Sequence, residues 1–433
     1  MSKITIPSQI IRALWLLEKE GFPAYVVGGS LRDALMGNPP HDWDVTTPAL
    51  PDRMLEIFTA AGYTTIPTGL AHGTGTVLVE HTPIECTTYR IDGEYTDARH
   101  PESVRFTDRI ADDLARRDFT VNAMACRLPH IAKWDENEPA LAQGLTVSAD
   151  ELEIVDLYGG REDLACGVIR CVGDAETRLT EDALRILRGV RFCVQLGFSP
   201  DPATEQALFD CRAGLSHISA ERIAAELTRT LACPLPCGDG LRLMSRAGLW
   251  QYILPEVKNS NISKYFECED DLLCAVDSLP NCAEMRLALL LCGTDEAGAK
   301  AACRRLKLSN KMTEAVSSYV GAIDRSCPKT EAETRRYMAA LGAYAEGALA
   351  VAAACHADEK KGYEAALTRA GAIRARGDCL AVADLAVDGK MLMKELGLRG
   401  RAVGEMLAKL LDVVLEDAAN NEKEILLRIA GEM

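Results

Sequence analysis

The apolar positions change period along the chain. Over residues 8–20, Ile10, Ile11, Leu14 and Leu17 recur three and four apart, which predicts a helix with one buried face. The short runs AYVV (24–27) and GTVLVE (75–80) are apolar and β-branched and predict strands. After about residue 175 the pattern is helical almost throughout, rich in alanine and leucine, with breaks only at clusters such as PLPCGDG and KLSN. An α+β head followed by an all-helical remainder is the predicted architecture. The stretch Pro129–Asp150 is polar, irregular and acidic and reads as a surface insertion or loop. Neither a fixed-period repeat nor a low-complexity segment interrupts the pattern.

Length and composition narrow the class. A chain of 433 residues is long for one core, and at roughly 100–200 residues per domain it predicts two to four domains. Hydrophobic content of 48% with 26% charged residues is that of a folded chain. No run of about 18 apolar residues is present, so no transmembrane helix is expected. The start MSKITIPSQI lacks the basic-then-apolar layout of a secretory signal. Sixteen scattered cysteines read as reduced thiols, and the expected location is cytoplasmic. The net charge of −16 opposes a non-specific nucleic-acid binder, yet a local basic groove remains compatible with it.

Candidate chemistry begins at GGSLRDALMG, followed by HDWDVTT. Gly28 and Gly29 follow a predicted strand and precede a predicted helix, which suits either a simple turn or a phosphate cradle of backbone N–H groups. Arg32 adds a guanidinium suited to phosphate oxygens. Asp42 and Asp44 are two apart, so on a strand both carboxylates share a face. A solvated turn satisfies that pair, and so does a shared cation, for which hard oxygen ligands favour Mg²⁺. The cysteine pairs Cys233/Cys237 and Cys268/Cys274 lack zinc-site spacing, and the seven histidines form no metal-like pair.

GG-x-x-RD followed by DxD resembles the signature of the DNA-polymerase-β-like nucleotidyltransferases. ARRDFTVNAMA (115–125) resembles the second signature of the tRNA nucleotidyltransferase and poly(A) polymerase family, here its bacterial class II branch. DLYGGREDL (156–164) is similar to that family's head-to-neck turn, with Leu157 where proline is usual. TEDALRILRGVRF (180–192) resembles its nucleotide-selecting helix, with Gly189 in place of alanine. SAERI (219–223), ILPE (253–256) and GLRGRAVG (397–404) also match, the last resembling a helix-hairpin-helix turn. Between about 257 and 380 the likeness is only in being helical.

The resemblance implies a polymerase-β-like head of mixed sheet and helices at 1–165. It implies a helical neck at 166–235, a body at 236–330 and a tail at 331–433. It implies addition of C, C and A to the 3′ end of tRNA from CTP and ATP, by two-metal transfer on Asp42 and Asp44. Glu85, on a predicted strand, is the candidate third carboxylate. Gly29, Ser30 and Arg32 would seat the triphosphate, with Arg117, Asn122, Arg188 and Arg191 near the nucleotide. Asp182 and Arg185, three apart on a predicted helix, would form an acceptor–donor pair for the base edge; an ordinary salt-bridged helix fits the same spacing. Asp118 and Asn122 would brace the site. The helical tail would grip the tRNA acceptor stem and elbow by shape and phosphates. The run from Asp92 to Arg99, inside a loop that continues to Phe106, resembles the complete loop of enzymes that add all three nucleotides. Rival readings are a partial CC- or A-adding enzyme, a poly(A) polymerase, or an inactive RNA-binding protein on the same scaffold.

Overall fold

A computed structural model describes residues 3–40, 42–93, 104–259 and 262–433. The chain divides into two compact units. The first comprises Met1–Glu226 with Leu243–Tyr252, the second Leu227–Arg242 with Ile253–Met433.

The first unit is built on a mixed sheet. It opens with β1 (Lys3–Ile6), α1 (Ser8–Lys19), β2 (Tyr25–Val27), α2 (Gly29–Leu35), β3 (Asp44–Thr47) and α3 (Pro51–Ala60). β4 (Thr64–Ile66), β5 (Thr74–Val79), β6 (Thr82–Thr88), β7 (Arg90–Asp92), β8 (Val104–Phe106) and α4 (Ile110–Ala115) follow. β9 (Met124–Arg127), α5 (Ala140–Gln143), β10 (Leu145–Ser148), β11 (Glu153–Asp156) and α6 (Gly160–Cys166) complete the α/β part. Seven strands form one sheet in the order β11-β9-β2-β3-β6-β5-β4. Only β3 and β6 run parallel; the other neighbours are antiparallel.

One face of this sheet carries the core. Val45, Val77, Val79, Ile84 and Cys86 are fully buried against Ile10, Ile11, Leu14 and Leu17 of α1 and Met54 and Phe58 of α3. The three-and-four spacing on α1 is thus the stripe it buries, and each such side chain contributes about 1.5–3 kcal/mol. Glu18, on the same helix, accepts two bonds from Arg127 of β9 at 2.6 and 2.7 Å and tethers the helix to the sheet. The opposite face has a smaller cluster of Tyr25, Val27, Tyr89, Leu114 and Ala125.

The stretch expected as an irregular insertion is ordered structure. β10 pairs antiparallel with β1, Ile4 opposite Val147. Ile131 and Leu141 are buried on α1, where Arg12 and Trp15 donate to the carbonyls of Leu141 and Trp134 at 2.8 and 3.1 Å. A four-residue strand whose partner lies about 140 residues away leaves no local period to read. Most of the loop run singled out in the sequence, 94–103, lies outside the described residues.

The first unit continues with the helices α7 (Ala175–Glu181), α8 (Leu184–Leu196), α9 (Pro202–Asp210) and α10 (Ala220–Leu231). The helix expected across 181–191 is in fact broken. Asp182 is extended, at φ −139° and ψ 103°, and its carboxylate accepts the Leu184 N–H at 3.0 Å, a local bond that competes with helix.

The second unit is helical. Its last three helices, Gly389–Leu396, Arg401–Glu416 and Lys423–Glu432, enclose their own apolar cluster around Leu392, Leu410, Val414 and Leu426. GLRGRAVG forms the turn between the first two of these. Glu331–Cys355 is apolar and long enough in sum to cross a membrane. It is two helices broken at Gly342, with Leu349, Val351 and Ala352 fully buried inside the unit.

Gly160 opens α6 where β9 and the segment before it approach closely. A Cβ there would collide with the Thr120 carbonyl and stand 2.9 Å from Met124 Cγ. Gly160→Ala is expected to destabilise the protein by about 1–3 kcal/mol in urea unfolding, with overpacking outweighing the gain in helix propensity.

Candidate active site

A row of side chains crosses the face of the sheet opposite the main core. Ala125 stands opposite Val27, Val27 opposite Asp44, and Asp44 opposite Glu85. Directly opposed residues project to the same side. The register therefore brings Asp44 and Glu85 together, while their neighbours Val45 and Cys86 are buried on the other side. Asp42 precedes the strand in a bend, outside the regular face expected for both aspartates. It remains close enough to raise Asp44 electrostatically. Burial and the charges of Glu85 and Asp42 push the Asp44 carboxyl up to about 6, against the opposing pull of Arg117.

Hard oxygen donors whose mutual repulsion a cation would relieve fit a divalent ion. Among the described residues no three acidic, histidine or cysteine side chains are already closed into a metal cage.

Gly28 ends β2 at φ 72° and ψ −140°, a conformation that favours glycine. A Cβ there would lie 3.0 Å from Arg117 Nη1 and 3.7 Å from Asp44 Oδ2. This glycine lets the backbone, the carboxylate and the guanidinium share one place. The first intrahelical bond of α2 runs from Arg32 N–H to the Gly28 carbonyl, so the N–H groups of Gly29 and Ser30 have no partner within the helix. The Ser30 hydroxyl donates to the Val27 carbonyl at 2.9 Å and secures the turn. Arg32 is buried. It donates to Asp33 at 2.8 Å and to Asn122 Oδ1 at 2.6 Å, as a brace under the turn.

Behind the turn a polar chain leads to α8. Asn122 Nδ2 donates to Asp118 at 3.4 Å, and Asp118 accepts from Arg188 Nε at 2.7 Å and Nη2 at 2.6 Å. Burial pushes the Asp118 carboxyl up; the ion pair and hydrogen bond with Arg188 overcome this and hold it at about 2. The guanidinium groups of Arg32, Arg188 and Arg191 surround the Phe192 ring, at 5.3, 5.4 and 4.2 Å from its centroid. Arg191 also donates to Glu226 at 2.6 Å.

Asp182 and Arg185, expected as an acceptor–donor pair for a base edge, are each bound to groups of the chain. Asp182 is held by Arg222 of α10, with Nη2 2.8 Å from its Oδ2. Arg185 donates to Glu181 at 2.6 Å and to the carbonyls of Arg178 and Arg116 at 3.0 and 3.2 Å. The extended backbone at Asp182 takes the two residues out of regular three-apart helical geometry. Arg222 and Glu226, four apart on one face of α10, were missed in the sequence; that spacing on one helix was the available signal.

A mixed sheet with carboxylates opposed across two parallel strands, beside a glycine turn, defines a polymerase-β-like nucleotidyltransferase head. Family matches agree along the chain. Residues 24–170 match the poly A polymerase head domain, 197–260 an RNA- and SrmB-binding site of polymerase A, and 280–430 the tRNA nucleotidyltransferase domain 2. The chain is 34% identical over 414 residues to a CCA-adding enzyme of Geobacillus thermodenitrificans, covering 94% of this chain and 92% of that one. With the CCA-adding enzyme of Leuconostoc mesenteroides the identity is 41% over 233 residues, 53% of this chain and 52% of the relative. The crystal structure of the Bacillus stearothermophilus CCA-adding enzyme in complex with CTP superposes with TM-score 0.74 at 29% identity, covering 98% and 96% of the two chains. The chain belongs to the CCA-adding enzyme family of tRNA nucleotidyltransferases.

The Asp118 pair carries a pH signature. Its folded pKa lies below the usual 3.8, so its stabilisation is complete above about pH 4–5 and is lost as pH falls toward 2. Asp118→Asn is expected to lose about 2–3 kcal/mol at neutral pH. In urea unfolding measured from pH 7 to 3, the gap from the parent should narrow below pH 4. A gap constant with pH would contradict the assignment.

Proposed function

We propose that this chain completes the 3′ end of tRNA by adding C, C and A from CTP and ATP without a template, releasing pyrophosphate at each step. The observation that carries the reading is the in-register pairing of Asp44 with Glu85 beside Asp42, in a chain whose full-length relatives are CCA-adding enzymes. In this reading Asp42 and Asp44 hold the divalent ions, taken to be Mg²⁺, and Glu85 is the third carboxylate. The bound ions would lower the pKa of the attacking 3′-hydroxyl and steady the leaving pyrophosphate. The chain itself mainly positions its substrates.

The N–H groups of Gly29 and Ser30 and the Arg117 guanidinium face the triphosphate. Arg32 and Asn122 keep that turn rigid from beneath, and Arg188 and Arg191 flank the nucleotide from α8. Asp182 has about four acceptor positions on its two oxygens, and its bonds to Leu184 and Arg222 fill three. The remaining one suits the exocyclic amine that C and A share at the position where U and G carry a carbonyl. Arg185 would exchange one carbonyl for the base to complete the reading. We assign 1–165 to catalysis, 166–235 to nucleotide selection, 236–330 to a connecting body and 331–433 to tRNA binding at the acceptor stem and elbow. The bacterial relatives support a soluble enzyme, and the cytoplasm, where tRNA and both nucleotides are available, is its proposed place of work.

The test is gel-resolved extension of tRNA transcripts ending before CCA, after C and after CC, given CTP, ATP or both with Mg²⁺. All three are expected to converge on one CCA end, with extension reduced to background in Asp42→Ala and Asp44→Ala. Stopping at CC, adding only the terminal A, or a poly(A) ladder would replace the product. No extension by the parent enzyme would overturn the catalytic reading.

A further inference from the structure

One carboxylate beneath the site has no place in the reaction just described. Asp113, on α4, is fully buried, and nothing in the transfer step uses it. Its Oδ1 accepts from Arg116 Nε and Nη2 at 2.9 and 2.8 Å, and its Oδ2 accepts from Arg117 Nη2 at 3.4 Å. A buried carboxylate between two arginines is compensated, and in turn fixes where both guanidinium groups lie.

For Arg117 that position matters. Its Nη1 and Asp44 Oδ2 both lie within 4 Å of the point where a Gly28 Cβ would stand. Its charge already lowers the Asp44 carboxyl. Yet its ion pair is with Asp113, at 3.4 Å, and its Nη1 donates to the Asn122 carbonyl at 3.3 Å. Its Nε is buried without a hydrogen-bond partner, so the side chain is not locked by its own bonds in any other direction. The guanidinium is poised between two carboxylates. Whichever wins decides whether Asp44 is open to a cation or closed by an arginine.

We propose that Asp113 is a positioning residue that holds Arg117 off Asp44 and thereby keeps the carboxylate pair open for a divalent ion. The proposal rests on the assignment of Asp42 and Asp44 as the ion's ligands. Removing the Asp113 charge frees Arg117 to pair with Asp44, whose carboxyl already feels its charge. A divalent ion must then displace a guanidinium to bind. Arg116, the other partner of Asp113, lies 3.8 Å from Asp92 and keeps a carboxylate partner when Asp113 is neutral.

The test is calorimetric titration of the full chain with Mg²⁺, and in parallel with Mn²⁺, without nucleotide or tRNA. Four variants are compared with the parent: Asp113→Asn, Arg117→Ala, the double variant, and Asp42→Ala/Asp44→Ala. Asp113→Asn is expected to weaken ion binding by about tenfold, the equivalent of one charge-assisted hydrogen bond. Arg117→Ala is expected to bind as tightly as the parent or more tightly, since a competing cation is gone. The double variant should bind like Arg117→Ala, because Asp113 acts only through that arginine. Unchanged binding in Asp113→Asn, or weakening that persists in the double variant, overturns the proposal. Should Asp113→Asn fail to fold, weakened binding in Arg117→Ala alone overturns it. If Asp42→Ala/Asp44→Ala binds the ion like the parent, the ligand assignment fails, a different result from failure of Asp113 alone.

Discussion

The Asp118–Arg188 ion pair is the contact on which the rest of the site depends. Asp118 belongs to the segment leading into β9, and Arg188 to α8, seventy residues later. Through Asn122 and Arg32 the same pair reaches the glycine turn of α2, and through the Phe192 ring it gathers Arg191. Sheet, turn and helix are thus set against each other by buried charged groups with fixed directions. Such a chain is costly to leave half-made, because each member stripped of its partner is a buried, unpaired group. Rigidity in this layer suits a reaction in which the protein supplies position more than covalent chemistry.

A second layer of charge works in the plane of the carboxylates. Asp44 is crowded by Glu85 and Asp42 and relieved by Arg117, so its free carboxyl lies near 6. The site is electrostatically unsatisfied alone, a tension that the proposed cation would relieve. The braces beneath it show the reverse: Asp118 is held near 2 by a partner supplied by the chain. The carboxylates of the proposed ion site are left in tension, while groups that hold the architecture are satisfied internally.

What could be read in the sequence follows the range of the interactions. The stripe of α1 and the strands containing Val26 and Val77 were legible, because a 3.6 or 2.0 period is local. The two aspartates and the glycine turn were legible because their meaning lies in a short spacing. Even there the strand starts at Asp44 and leaves Asp42 in the bend before it. The break at Asp182 was not legible, because a spacing rule cannot detect one residue that departs from helical geometry. Arg222, Glu226 and the β1–β10 pairing were hidden because their partners lie 35 to 140 residues away. The resemblance to a known family supplied roles for side chains but not these partners.

The pairing of β1 with β10 has a consequence during synthesis. Residues 3–6 are made well before residues 145–148, and β1 has no partner until those follow. At about 5–20 residues per second the opening strand waits on the order of ten seconds with its backbone unpaired. The seven-stranded sheet waits slightly longer, since its edge strand β11 ends at Asp156. The nascent head therefore passes through a defined window as an exposed, incomplete sheet. A pause in translation before β10 and β11 have emerged would lengthen the life of that sticky intermediate, whereas the same pause after both have emerged would find the sheet already closed.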